Sequence, residues 1–205
     1  ELTILDGAVG TVLQNDGQKK VALNMGSAGG PLEPLGTLSF DAAYESYAQV
    51  VRAGARADAV LIQQGRPAAL PVLPRLIAGK QRLCAGDGHT EFVWVTMDFD
   101  ASGRTAAGTT VGCMACTLDG FGVSAMGISG RLSPEELCPL LEEMRSWTDK
   151  PLIVRLCSDR CARDAAEFAR QMERLREQGV SILGGLDAAL EFVQRLAQLP
   201  PIEEP

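Results

Sequence analysis

The sequence is short of histidine, of positive charge and of long apolar runs. Its one histidine, His89, stands in a polar loop ahead of a strand-like stretch. A Ser-His-Asp or Cys-His site therefore has no base where one would be needed. No apolar run is long enough to cross a bilayer, and no charged-then-apolar leader follows Glu1. Since the chain opens on Glu1 and not Met, it is expected to be a trimmed product, soluble and cytoplasmic, with no membrane contact. Lysine and arginine number 19 against 26 acidic residues, a formal net charge of −7. Without a basic stripe to neutralise phosphates, a sequence-independent nucleic-acid surface is excluded. The stretches "GTLSFDAAY" and "GRTAAGTT" suit tight loops, and neither carries the lysine of a phosphate-binding loop.

What is present is a good apolar supply in 205 residues, enough for one domain with a sizeable core. The domain is expected over residues 1–198, with 199–205 as a tail or linker. Six cysteines (Cys84, Cys113, Cys116, Cys138, Cys157 and Cys161) need no disulfide framework in such a chain and read as reduced thiols. Strand-like runs occur at "TIL", "KKVALNMG", "DAVLIQQ", "EFVWVTMDFD", "SAMGIS", "KPLIVRLCS" and "VSILGG". Helical patterns separate them. One follows Ser39 or Asp41 as cap, and one, at 67–79, holds Pro71 and Pro74. Others cover 110–121, 163–178 and 187–198, and a further one starts at Ser133 with Pro134 in its first turn. This alternation predicts an α/β fold with a mainly parallel sheet. Seven strands make it a TIM-barrel-like (β/α) fold missing about one βα unit, since such barrels run to about 250 residues.

In either a barrel or an open parallel sheet the working groups lie at the carboxyl ends of the strands. Those ends carry Asp6-Gly7, Asn24, Gln63-Gln64, Asp98 with Asp100, Ser129-Gly130-Arg131, Cys157-Ser158-Asp159 and Gly184-Gly185-Leu186-Asp187. Cys113 and Cys116 have the short spacing of thiolate metal sites, but no second pair matches them. Two thiols three apart on a helix read as ordinary core residues. Cys157 with Cys161 and Asp159 or Asp187 is the alternative metal set, again beside a structural reading of the cysteines.

The order of these stretches resembles the homocysteine S-methyltransferase domain, including the one that opens cobalamin-dependent methionine synthases. "ILDGAVGTVLQ" is similar to that family's opening motif. "LEPLG" with "SFDAAYESYAQ" is similar to its third-strand loop and helix, and "MDFDASGRTAAGTT" to its fifth-strand region. "GVSAMGIS" with "GRLSPEEL", then "TDKPLIV" and "GVSILGG", resemble its sixth, seventh and eighth units. The resemblance runs from Leu2 to about Val193. It implies an eight-fold βα barrel and methyl transfer to the sulfur of homocysteine, held as a thiolate by zinc. In the family three cysteines hold that zinc, one after the sixth strand and two after the eighth. Here the three positions read Gly130, Leu186 and Asp187, so no zinc and no other cofactor is expected. The resemblance further places substrate contacts at Asp6, Gly7, Gln63, Ser129 and Cys157. Gln63 stands in place of an acid and Cys157 in place of an asparagine.

Between Gln14 and Gln18 the family would place a helix, a strand and another helix. Their absence leaves about a dozen residues to join two parallel strands, which is feasible but tight. The result is a seven-stranded closed barrel, an open one or a barrel completed by a partner, and an exposed parallel edge would favour a homo-oligomer. The leading expectation is a catalytically degenerate, pseudoenzyme-like domain of one-carbon and methionine metabolism. It would act as a binding or assembly module for a corrinoid protein or a methyltransferase subunit. The alternatives are a small-molecule enzyme using a rebuilt site, with Asp6, Asp98, Cys157 and Asp187 as catalytic candidates and Asp100 beside them, or a folded relic without a ligand.

Overall fold

The computed structural model describes residues 3–5, 22–25, 33–34, 36–53, 59–64, 92–157 and 165–185. Seven strands are found among them. They are β1 (Thr3–Leu5), β2 (Ala22–Met25), β3 (Ala59–Gln64), β4 (Phe92–Asp98), β5 (Ala125–Gly130), β6 (Leu152–Leu156) and β7 (Val180–Gly185). Six parallel pairings join them in the order β1-β7-β6-β5-β4-β3-β2. From β3 to β7 each strand lies beside the one that precedes it in sequence. Among the described residues no pairing joins β1 to β2, the two strands that flank the missing unit. The architecture is thus the incomplete, TIM-barrel-like α/β fold read from the sequence.

Among the described residues, four helices cover one face of the sheet: α1 (Phe40–Ala53), α2 (Val111–Gly120), α3 (Pro134–Arg145) and α4 (Ala165–Glu177). Their starts have local causes. The Ser39 hydroxyl accepts from the Ala42 amide at 3.2 Å, so Ser39 and not Asp41 opens α1. At α3 the Ser133 hydroxyl accepts from the Glu136 amide at 3.3 Å, and Glu136 Oε2 accepts from the Ser133 amide at 2.8 Å. This is a complete capping box, and the Ser133 cap with proline at the first helical position is as the sequence predicts. The expected helices at 67–79 and 187–198 lie outside the described residues.

Apolar spacing fixes how the helices sit. Val111, Met114, Ala115 and Leu118 of α2 are buried, as are Leu137, Leu140, Leu141 and Met144 of α3. Both sets follow the i, i+3, i+4, i+7 stripe of a helix with one packed face. They meet Val93, Val95, Met97, Met126, Ile128, Leu152, Val154 and Leu156 from one face of the strands in a single large core. The other face carries a smaller cluster of Leu61, Ala125, Ile153 and Ile182, with Ala22 and Trp94 packed against it. Among the described residues no helix residue belongs to that second cluster, which marks the inner face of the partial barrel.

A bulge in β7 sets which of its residues point inward. Leu152 pairs with Val180, but the next residue of β6, Ile153, pairs with Ile182. The extra residue, Ser181, shifts the alternation by one. Val180 therefore joins the helix-covered core while Ile182 joins the inner cluster, and Gly184 arrives opposite Arg155.

Candidate active site at the carboxyl ends of the strands

Three residues in consecutive register make the inner face polar at the ends of β4, β5 and β6. Asp98 pairs with Ser129, and Ser129 with Arg155. In register, equivalent side chains of neighbouring strands share a face. The Ser129 hydroxyl donates to Asp98 Oδ1 in a short hydrogen bond. Arg155 Nη1 donates to Gln63 Oε1 at 2.8 Å, linking β6 back to β3. Ser129 and Arg155 are buried, and Asp98 and Gln63 are half-buried. The four form one layer above the apolar plug of Leu61, Trp94, Ala125, Ile153 and Ile182.

The electrostatics of this layer run against a simple ion pair. Burial raises the Asp98 carboxyl above its ordinary value, outweighing the Ser129 hydrogen bond and the attraction of Arg155, both of which lower it. Burial likewise lowers the Arg155 guanidinium, against the pull of Asp98. Both groups move toward neutrality, so desolvation exceeds their mutual attraction on each side. A pair of that kind is weak support for stability, and such perturbed groups gather at functional sites.

Two further polar atoms face the same interior. Thr96 shares its register row with Gln63 and Gly127, and Asn24 shares one with Leu61. Thr96 Oγ1 and Asn24 Oδ1 are buried and find no hydrogen-bond partner among the described residues. Buried polar atoms are rarely left so, and each such atom asks for a ligand or a water. Between Thr96 and Ile153, β5 offers Gly127, where an added Cβ would stand 1.8 Å from the Ile153 carbonyl oxygen. That close approach of β6 requires glycine.

Of the residues named from sequence, the structure thus assembles Gln63, Asp98 and Ser129. Cys157 follows β6 at the same end and is half-buried, its amide donating to the Gly130 carbonyl at 3.1 Å. Asp6, Gly7, Asp159, Cys161, Leu186 and Asp187 lie outside the described residues. Asp100 is exposed and shapes its own loop, with Oδ1 accepting from the Ser102 amide and hydroxyl and from the Arg104 amide. Those bonds, the Ser102 hydroxyl first, hold its carboxyl below the usual value. It does not join the inner layer.

Arg155, which ties the layer together, is absent from the sequence reading. A cation inside the apolar run "PLIVRL" was the available signal, because a buried charge needs a partner. The expectation that Cys113 and Cys116 are core residues is corrected. Both are exposed, because Val111, Met114, Ala115 and Leu118 occupy the buried stripe of α2.

The donor set does not suit a thiolate-bound zinc. Gly130, the one position within the described residues that the resemblance assigns to a zinc ligand, has no side-chain donor, and its φ of 138° is a conformation that L side chains rarely adopt. Among the described residues no group of three or more His, Cys, Asp or Glu side chains could hold a metal ion. Nor is any described helix long and apolar enough to cross a membrane.

Comparison with known proteins gives the following. The family model described as homocysteine S-methyltransferase matches residues 16–185, which leaves the opening "ILDGAVGT" outside the match. No curated protein sequence matches. Among solved structures, the homocysteine methyltransferase MmuM from Escherichia coli in its oxidized form is 20% identical with a TM-score of 0.59. The alignment covers 77% of this chain and 50% of that one. The metallated form of the same protein gives 18% identity and a TM-score of 0.58, covering 78% and 51%. Active domain 2 of a chitinase from Pyrococcus furiosus gives 12% and 0.57, covering 86% and 71%. At these identities the structural likeness speaks to fold alone. The chain spans about half the length of the solved homocysteine methyltransferases it matches.

Proposed function

The chain belongs to the homocysteine S-methyltransferase family, and from that premise we propose that it has given up zinc-dependent thiol methylation and serves as a binding or assembly module. The observation that carries this is Gly130. Where the family resemblance calls for a zinc thiolate, the chain has a residue without a donor, in a left-handed backbone conformation. Zinc lowers the barrier to thiol methylation by holding the sulfur as a thiolate. With Gly130, Leu186 and Asp187 at the three ligand positions, that activation has no basis here.

The strand ends instead offer a polar lining. Thr96 Oγ1 and Asn24 Oδ1 support hydrogen bonding to a small polar ligand, and Asp98 and Arg155 supply one group of each sign. The module would work in the cytoplasm, in methionine and one-carbon metabolism. Its partners would be a corrinoid protein, a methyltransferase subunit or a second copy joined at the open edges β1 and β2.

A second reading is favoured by Asp98 alone. A carboxyl raised by burial and hydrogen-bonded to a serine hydroxyl is suited to moving a proton, as a rebuilt enzyme would need.

The test is zinc content after loading and removal of excess, followed by a methyl-transfer assay with homocysteine and a methylcorrinoid donor. Well under one zinc per chain and no methylated thiol are expected. About one zinc per chain with methyl transfer would overturn the proposal. Turnover of another substrate without zinc, lost in Asp98→Asn, would establish the second reading.

A further inference from the structure

Cys113 and Cys116 stand on the outer side of α2, both exposed, while the buried stripe of that helix packs on the sheet. Exposure of two thiols within one helical turn is unusual for a residue that normally behaves as a small core hydrophobe. We propose that this pair is a two-thiolate site for a soft monovalent metal ion, Cu(I), separate from the barrel mouth.

Helix geometry decides among the uses of such a pair. Residues three apart on a helix have Cβ atoms about 5–6 Å apart. A disulfide needs about 3.5–4.5 Å between Cβ atoms, so closing one would distort the first turns of α2. Those turns are fixed by the Thr110 hydroxyl, which accepts from the Cys113 amide at 3.3 Å, and by the Thr117 hydroxyl, which donates to the Cys113 carbonyl at 2.7 Å. Zinc is disfavoured for a different reason. It takes four ligands in a structural site, and no third His, Cys, Asp or Glu joins the pair among the described residues. A soft ion content with two thiolates fits both constraints. Metal–thiolate bonds of about 2.3 Å place two sulfurs about 4.6 Å apart across a linear centre. That separation is slightly shorter than the Cβ spacing of the helix, and rotation about the side-chain bonds can supply the difference without moving the backbone. Thiolates also select Cu(I) over harder ions.

Binding breaks two S–H bonds and forms two S–Cu bonds. Both protons go to the buffer, and copper stays monovalent throughout. The test is an anaerobic Cu(I) titration of the whole chain against a chromogenic Cu(I) chelator, with proton release followed in parallel. One ion per chain and two protons released per ion are expected. Cys113→Ala and Cys116→Ala should each weaken uptake by more than about a hundredfold. Both sites are exposed, so circular dichroism should match the wild type. Cys138→Ala and Cys157→Ala should leave uptake unchanged. Failure of the wild type to compete for copper, or full uptake by the Cys113→Ala/Cys116→Ala double variant, would overturn the proposal.

Discussion

Ile128 and Ser129 are neighbours in β5, and they face two different chemistries. Ile128 points toward the helices, into a core where strands and helices interlock through Val, Leu, Ile and Met. Ser129 points inward, into a layer of hydrogen bonds and opposed charges above a small apolar plug. The helix-covered face carries the fold's cohesion, since each fully buried large aliphatic side chain is worth about 1.5–3 kcal/mol. The inner face contributes little by comparison, because desolvation of Asp98 and Arg155 exceeds their attraction. A sheet organised this way can exchange the residues of its mouth without losing its architecture.

The largest test of the contrast is a truncation on the helix-covered face. Ile128→Ala should lower unfolding free energy by about 2–5 kcal/mol, read from a urea titration. Its inner counterpart should cost less. Arg155→Met leaves Gln63 Oε1 without its donor and Asp98 without its neighbouring cation, for about 1–3 kcal/mol. A loss equal to that of Ile128→Ala would break the comparison. At the helix ends, Ser133→Ala removes half of the capping box and should cost about 1 kcal/mol, seen as a lower thermal midpoint.

The smallest effect is a slope and not a step. The Asp98 carboxyl is raised in the folded state, so its contribution is fully present below the ordinary carboxylate value. It fades as pH rises through the raised one, because the folded chain must then ionise a group that burial disfavours. Urea midpoints of the wild type should therefore decline above about pH 4 relative to Asp98→Asn, which removes the titration and can still accept from Ser129. Parallel profiles for the two proteins would sink this account.

Much of the fold was legible because the strands are buried on both faces and read as apolar runs of the right length. The start of α3 was legible for a more local reason, since Ser133, Pro134 and Glu136 form their cap within four residues. Ser181 in "VSILGG" was not legible as a bulge, because its effect appears only in the pairing with Leu152 and Ile153. At the site, Gln63, Asp98 and Ser129 stood out as polar ends of apolar strands. Arg155 did not, being one residue short of the end of β6. The exposure of Cys113 and Cys116 was legible in principle. The phase set by Val111, Met114, Ala115 and Leu118 leaves both on the opposite side of α2.

The strand order also dictates an order of assembly. Strands β3 to β7 can be laid down as the chain emerges, each against the strand that precedes it. β1 cannot, because its partner is β7, with Thr3 opposite Ile182 and Leu5 opposite Gly184. Closing so long a loop carries the largest entropic cost in the sheet and has no earlier strand to lean on. β1 thus pairs only once β7 has been made.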